Sequence, residues 1–188
     1  MRNLQILSRY QNILEDIGDD TVTSVAIDEY GTQIFVYTLN HKLIVYKAND
    51  SNFTSPVKIA EHIFDQFIQS EIGVFIVNME YVQELASVVM AFNTGEIHFY
   101  EMESKEAKEA GVLSGNILAA KWSPNEEHYA VASENGTLYL FTPDFDILYE
   151  CPIDDGDLTF KDGIMPENED DMEVSQAHIS WRGDSSIF

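Results

Sequence analysis

The sequence predicts an all-β fold in which a unit of short antiparallel strands is repeated along the chain. The segments VAIDEYGTQIFVYTLNHKLIVY and AKWSPNEEHYAVASENGTLYLF align without a gap, with Ile27 opposite Trp122 and Tyr46 opposite Phe141. Apolar residues fall at matching positions on both sides of a shared turn. Alternating apolar and polar residues, interrupted by turn residues, are typical of a meander of antiparallel strands.

A tight turn lies at the centre of each aligned segment. Asn135-Gly136 is a strong hairpin signal, because a type I′ turn needs a positive φ at both central residues and Asn and Gly tolerate it. Asn40-His41 is a weaker version at the matching position. We therefore expect Asn135 and Gly136 to have a structural role as a type I′ hairpin turn.

A third copy of the unit lies between the first two. LASVVMAFNTGEIHFYEM has Thr94-Gly95 at the turn position, and IGVFIVNMEY supplies its first strand. A period of roughly 40 to 50 residues with four strands in each unit indicates a β-propeller of the WD40 type. The predicted blades cover residues 22–58, 72–112 and 117–153, and the next begins within 176–188.

The predicted propeller ring is incomplete. HISWRGD starts the next blade with Trp181 in the place of Trp122, so Phe188 falls near the start of that blade's second strand. About three blades and the start of a fourth cannot close a ring that typically has four to eight. We expect the chain to be the N-terminal portion of a longer protein, with Trp122 and Trp181 as structural core residues between adjacent blades.

Three segments depart from the repeated pattern. IAEHIFDQFIQSEI has near-helical apolar spacing, but the repeat calls for an outer strand near Pro56 to Ile63, and the strand is preferred. EMESKEAKEAG has the composition of a helix and equally fits an outer hairpin. Residues 154–173 are rich in Asp and Glu without an apolar period, which predicts a disordered acidic loop between blades.

Composition limits the classes of function. The 188 residues include 10 Lys and Arg against 33 Asp and Glu, for a formal net charge of −23, and Cys151 is the only cysteine. The negative charge repels phosphate backbones, so direct binding of nucleic acid is not expected. One cysteine excludes an internal disulfide. The sequence has neither a secretory signal nor a membrane span of about 18 apolar residues, which predicts a cytoplasmic or nuclear protein.

The sequence predicts no catalytic, cofactor or metal site. The five histidines lack the paired spacing of metal ligands, and the acidic clusters lack the spacing of a calcium loop. Elbows of the GxSxG type, phosphate-binding glycine loops and HExxH helices are absent. Arg182-Gly183-Asp184 has the letters of an adhesion signal, but a turn is the preferred interpretation because no secretion signal accompanies it.

Four segments together resemble a known family. They are MRNL at the start, ILAAKWSPNEEHYAVAS, LFTPDFDILYE and, most specifically, HISWRGD. In this order they are similar to the largest subunit of the Elongator complex. The chain departs from that family in one place, because a segment like V-G-W-G-x-K-E-T-Q-F-x-G is not recognisable between the third blade and HISWRGD.

The resemblance implies a non-catalytic scaffold without a cofactor. Family members have two propellers, a helical-repeat arm and a C-terminal dimerisation region, and their complex modifies tRNA wobble uridines (U34) with chemistry that belongs to a different subunit. The resemblance implies other Elongator subunits as protein partners and no membrane. It also implies that tRNA contact and homodimerisation involve the complex or regions outside this chain.

Two alternatives follow from the residues alone. The first is an unrelated WD40 adaptor that binds peptides of other proteins. The second is a propeller hydrolase, which would need carboxylates at matching positions of the inner strands. The sequence has Val25, Ala120 and an apolar run around Phe75 near those positions, so we rank the hydrolase last.

Overall fold

The computed structural model describes residues 17–48, 56–68, 73–153 and 177–182. Within these ranges the chain forms twelve strands and, between β4 and β5, one short helix, α1 (Asp65–Ile68). The strands are β1 (Val22–Ile27), β2 (Gln33–Thr38), β3 (Lys42–Ala48), β4 (Pro56–Ile63), β5 (Ile76–Val82), β6 (Ser87–Phe92), β7 (Glu96–Glu101), β8 (Glu106–Val112), β9 (Ile117–Trp122), β10 (Tyr129–Ser133), β11 (Thr137–Phe141) and β12 (Ile147–Pro152).

Each group of four successive strands forms one antiparallel sheet. The strand orders are β1-β2-β3-β4, β5-β6-β7-β8 and β9-β10-β11-β12. The first strands of the sheets lie side by side, because β1 contacts β5 and β5 contacts β9. This is the blade arrangement of a β-propeller, with no closed ring in the described part of the chain. The predicted all-β, incomplete propeller is confirmed.

The middle sheet is buried on both faces. Every residue of β6 is buried. Val88, Met90 and Phe92 pack against the first sheet, whereas Val89 and Ala91 pack against the third. Successive side chains of a strand point to opposite faces, so a strand buried on both sides is a nearly continuous apolar run, as residues 88–92 are here. Full burial of each larger apolar side chain contributes about 1.5–3 kcal/mol to the stability of the folded state.

The two outer flanks of the blade stack are also apolar. On the far side of the first sheet, buried residues form a cluster of Ile17, Ile34, Val36, Ile44 and Tyr46. On the far side of the third sheet, residues 177–182 lie against the sheet. There Ile179 is buried with Ala119, Ala130 and Ala132.

The first blade, predicted at about residues 22–58, includes the predicted outer strand near Pro56 to Ile63. Strand β4 pairs with β3 over its whole length, from Ala48 with Pro56 to Lys42 with Ile63, so the outer strand is as long as its partner. The other two sheets span Ile76–Val112 and Ile117–Pro152. The predicted acidic loop at 154–173 lies outside the described residues, as does most of the predicted next blade.

Both ambiguous segments contain a strand. In the first, β4 occupies the preferred strand position and α1 follows it, which accounts for the near-helical spacing of Phe64 and Phe67. These two rings are buried and stack at 5.8 Å between centroids. In the second segment, Glu106–Val112 forms β8, so the hairpin alternative applies.

The predicted type I′ turn is wrong, because of its two central residues only Gly136 has a positive φ, of 70°. The amide of Gly136 donates to the carbonyl of Ser133 at 3.1 Å, and three residues separate β10 from β11. This is a three-residue hairpin loop that ends in a left-handed residue. His41 and Gly95 hold the same position in the other sheets, with φ of 59° and 98°.

In the middle sheet, the residue at the inner-strand position equivalent to Val25 and Ala120 differs from the expected one. Val25 pairs with Val36, and Ala120 pairs with Val131. The equivalent pair in the middle sheet is Met79 with Met90. Residue 79, rather than the run around Phe75, therefore holds the matching inner position, because β5 begins only at Ile76.

Substitution of Gly95 tests how closely its hairpin loop packs against the connection between β8 and β9. A Cβ at Gly95, where φ is +98°, would lie 2.7 Å from the carbonyl oxygen of Leu113 and 2.8 Å from that of Gly115. We expect Gly95→Ala to lower the free energy of unfolding by about 2–4 kcal/mol, from left-handed backbone strain and overpacking. Chemical denaturation of the purified protein measures the change.

Gly111→Ala is the matched control. No heavy atom lies within 4 Å of a Cβ built at this glycine of β8. We expect its unfolding free energy to stay within about 0.5 kcal/mol of wild type. Equal effects of the two substitutions would contradict the turn geometry.

Candidate interaction surface

The antiparallel order gives the blade stack two different ends. The turns between the first and second strands of each sheet lie at one end, at residues 28–32, 83–86 and 123–128. The loops between the third and fourth strands of the second and third sheets, at residues 102–105 and 142–146, lie at the same end. We call this end the turn face. The opposite end, the crossover face, carries the three-residue hairpin loops and the connections from one sheet to the next.

On the crossover face, asparagine side chains fix the chain as it enters a sheet. The amide group of Asn93 donates to the carbonyl of Gly73 at 3.0 Å and accepts from the amide of Phe75 at 2.7 Å. In the third sheet, Asn135 Nδ2 donates to the carbonyl of Ser114 at 2.7 Å. The predicted structural residue Asn135 therefore ties the hairpin loop of its sheet to the segment that enters the same sheet.

On the turn face, hydrogen bonds join the turns of different sheets. Glu126 Oε2 accepts from the backbone amides of Gln83 at 2.8 Å and Glu84 at 3.1 Å. Gln83 Nε2 in turn donates to the hydroxyl of Tyr30 at 3.4 Å. The first turns of all three sheets are thus connected, which holds this face as one platform.

A groove of about 280 Å³ lies on this platform, where the three inner strands end. We call it the inner groove. Its apolar part includes Ala26 and Ile27 of β1, Met79 of β5 and Trp122 of β9. The charged residues among its described lining are two carboxylates, Glu80 and Glu126. Glu80 Oε2 accepts from the backbone amide of Trp122 at 3.2 Å.

The charged side chains that act on Tyr81 in the inner groove are carboxylates. Burial raises the pKa of Tyr81, and the nearby carboxylates of Asp28, Glu126 and Glu29 raise it further. Tyr81 lines the groove and stacks on Phe35 with 5.8 Å between ring centroids. A tyrosine hydroxyl whose ionisation is opposed by several carboxylates reports a site that favours positive charge.

Trp122 joins the second and third sheets. It is 5% exposed and stacks on Tyr129 with 4.7 Å between ring centroids. It belongs to the apolar cluster that includes Val82 and Val89 of the middle sheet. Its indole Nε1 is buried without a hydrogen-bond partner in the described part of the chain.

Trp181, the predicted counterpart of Trp122, lies beside β9, the strand that contains Trp122. It is partly buried against the cluster on the far side of the third sheet. Its indole Nε1 donates to the carbonyl of Lys121 at 3.2 Å. The two tryptophans therefore pack on opposite sides of the third sheet.

The sequence did not single out Glu80 or Glu126. The Glu126 carboxylate bonds to amides 42 and 43 residues earlier, and Glu80 bonds to an amide 42 residues later. No local spacing encodes such pairs. The positive φ of Glu126, at 58°, is equally invisible in the sequence.

Within the described ranges, the remaining sequence candidates are not brought together into a second site. Across the described ranges, no three His, Cys, Asp or Glu residues are placed to hold a metal ion. His98 is buried against the rings of Phe64, Phe67 and Phe92. Of the Arg182-Gly183-Asp184 tripeptide, only Arg182 is described. No helix in the described part of the chain is long and apolar enough to cross a membrane.

Comparison with known proteins identifies relatives of the chain. The family described as ELP1 first N-terminal beta-propeller matches residues 1–165. The chain is similar to mouse Elongator complex protein 1, with 24% identity over 139 residues, which is 60% of this chain and 10% of the relative. The fruit-fly protein of that name is 26% identical over 140 residues, covering 60% and 11%.

A third relative extends the match along the chain. Fission-yeast Elongator complex protein 1 is 22% identical over an alignment of 203 residues, which covers 90% of this chain and 15% of the relative. The matches thus span 10% to 15% of the length of these curated relatives.

Truncation of Trp122 tests its place between the sheets. We expect Trp122→Ala to lower the free energy of unfolding by about 3–5 kcal/mol, the cost typical of removing a buried aromatic side chain. Thermal or chemical denaturation measures it. Leu148→Ala is the control, since Leu148 is 54% exposed on β12. An unchanged stability of Trp122→Ala would contradict the assignment.

Replacement of Glu126 tests the link between turns. Glu126→Ala removes the acceptor of two backbone amides. We expect it to lower the free energy of unfolding by about 1–2 kcal/mol, a modest loss because water can bond to both amides once they are freed. Glu126→Gln keeps an acceptor oxygen and should lose less. The two variants are compared by denaturation under identical conditions, and a larger loss for Glu126→Gln would refute the bonding role.

Proposed function

Because this chain belongs to the family of the first N-terminal β-propeller of ELP1, we propose that it acts as a non-catalytic scaffold portion of an Elongator complex subunit. The observation that carries this proposal is the family match over residues 1–165. The similarity to Elongator complex protein 1 from mouse, fruit fly and fission yeast supports it.

The scaffold works through rigidity. The faces of the inner strands are used in packing blade against blade, so the ends of the stack and the exposed outer strands remain for contacts with other subunits. The turn face is the better suited of the two ends, because Glu126 and Gln83 tie its turns together across sheets. A platform held in this way loses little conformational freedom when a partner binds.

The role in tRNA modification is indirect. In this proposal the complex modifies wobble uridines (U34), and the reaction chemistry belongs to other subunits. A net charge of −23 opposes contact between this chain and the phosphates of tRNA. We assign tRNA contact to the complex or to regions outside this chain, and homodimerisation to regions outside it. The proposed location is the cytoplasm or the nucleus.

The family match argues against the two alternatives drawn from the residues. An unrelated WD40 adaptor would not be expected to match this family over residues 1–165. A propeller hydrolase would need acids at equivalent positions of the inner strands. Val25, Met79 and Ala120 hold those positions in the three sheets.

Affinity purification of the full-length endogenous product from its own cells tests the proposal. With a C-terminal tag on the bait and a tag-only strain as control, mass spectrometry should find the other Elongator subunits enriched with the bait. Recovery of the bait with a different set of proteins, and without Elongator subunits, would overturn the assignment.

A further inference from the structure

We propose that the inner groove of the turn face binds an arginine side chain presented by a loop of a partner protein. This inference rests on the proposed scaffold function, because it names the chemistry of one contact that the scaffold makes. It assigns one groove of the turn face to one type of side chain.

The size of the groove suits one long side chain. Its volume of about 280 Å³ lies just below the range of roughly 300–1,000 Å³ typical of pockets for drug-sized ligands. Ile27 and Pro124 are exposed at the groove, whereas Met79 and Trp122 are buried there. An aliphatic stem can lie along these apolar side chains while its charged end reaches the carboxylates.

The two carboxylates of the groove are positioned by the fold before any partner arrives. Glu80 and Glu126 each use Oε2 to accept backbone amides. Those bonds orient the side chains, so the second oxygen of each can accept from a guanidinium group without further ordering of the carboxylate. Charge-assisted bonds of this kind are about twice as strong as neutral ones.

An aromatic ring adds to the recognition of a cation. Tyr81 lines the groove and is held in place by its stack on Phe35. A guanidinium group attracts the face of an aromatic ring and bonds to carboxylates with a planar fork of donors. Lysine has a compact charge and lacks this planar geometry, so arginine fits the combination better.

The charge of the chain favours a different protein as the source of the arginine. With 33 Asp and Glu against 10 Lys and Arg, two copies of the chain repel each other, which disfavours a second copy as the occupant. Nucleic acid is disfavoured on the same ground. A basic loop of a partner protein has the opposite charge and is attracted to the face.

A titration with a small probe tests the groove without any other subunit. The probe is the peptide acetyl-Gly-Leu-Arg-Leu-Gly-amide, and its counterpart carries citrulline, which has nearly the shape of arginine without the charge. Saturation-transfer NMR measures binding of each peptide to the purified full-length protein. We expect the arginine peptide to bind at least about tenfold more tightly, as one charge-assisted bond predicts.

Two variants with the same change in net charge separate the groove from the general acidity of the surface. Glu80→Gln removes a groove carboxylate and keeps an oxygen for the Trp122 amide. Glu103→Gln removes an exposed carboxylate from the turn between β7 and β8, outside the groove lining. We expect Glu80→Gln to abolish the preference for arginine and Glu103→Gln to retain it, with both variants melting at the wild-type temperature.

Three results would overturn the inference. One is equal binding of the arginine and citrulline peptides, and another is an equal loss in the two variants. The third is self-association of the protein that Glu80→Gln removes, which would make a second copy the occupant. None of these results bears on which subunits co-purify, so failure of the groove is distinguishable from failure of the scaffold assignment.

Discussion

Burial of the middle sheet on both faces is the constraint on which the rest of the structure depends. A β-sheet can hide an apolar face only against another layer, and here each of β6's two faces is covered by a neighbouring blade. The same need explains α1, which places Phe67 in the cluster between the first and second sheets. It also explains the segment at 177–182, where Ile179 lies against the far side of the third sheet.

This packing decides which surfaces are free for function. Since the faces of the inner strands are used between blades, the described part of the protein presents the ends of the strands and the exposed outer strands β4, β8 and β12 to other molecules. At the crossover face, the side chains of Asn93 and Asn135 bond within one sheet, whereas at the turn face the side chain of Glu126 bonds to the neighbouring sheet. The turn face is therefore both exposed and held together, which suits a scaffold.

The chain is rich in acidic residues, and their carboxylates accept hydrogen bonds from backbone amides. Several of them accept backbone amides: Asp20 from Thr21, Asp28 from Gln33, Glu80 from Trp122, and Glu126 from Gln83 and Glu84. The ion pairs recorded in the described residues, Lys58 with Glu61 and Lys108 with Glu101, lie within single sheets. Adhesion between blades is thus apolar burial supported by carboxylate–amide bonds, and it leaves negative charge to attract basic partners.

The sequence by itself determined the repeated strands and the positions of the hairpin loops, because alternation of apolar residues and turn residues is local information. It indicated the family through the resemblance of four short segments. It was wrong about the type of the loop at Asn135, since backbone angles in a loop depend on how the flanking strands pair. Only the tertiary structure decided which neighbour covers each face of β6 and which amides Glu80 and Glu126 reach. Those contacts join residues about 40 positions apart. The alternation of apolar and polar residues shows which side chains are buried, but it does not show which other residues bury them.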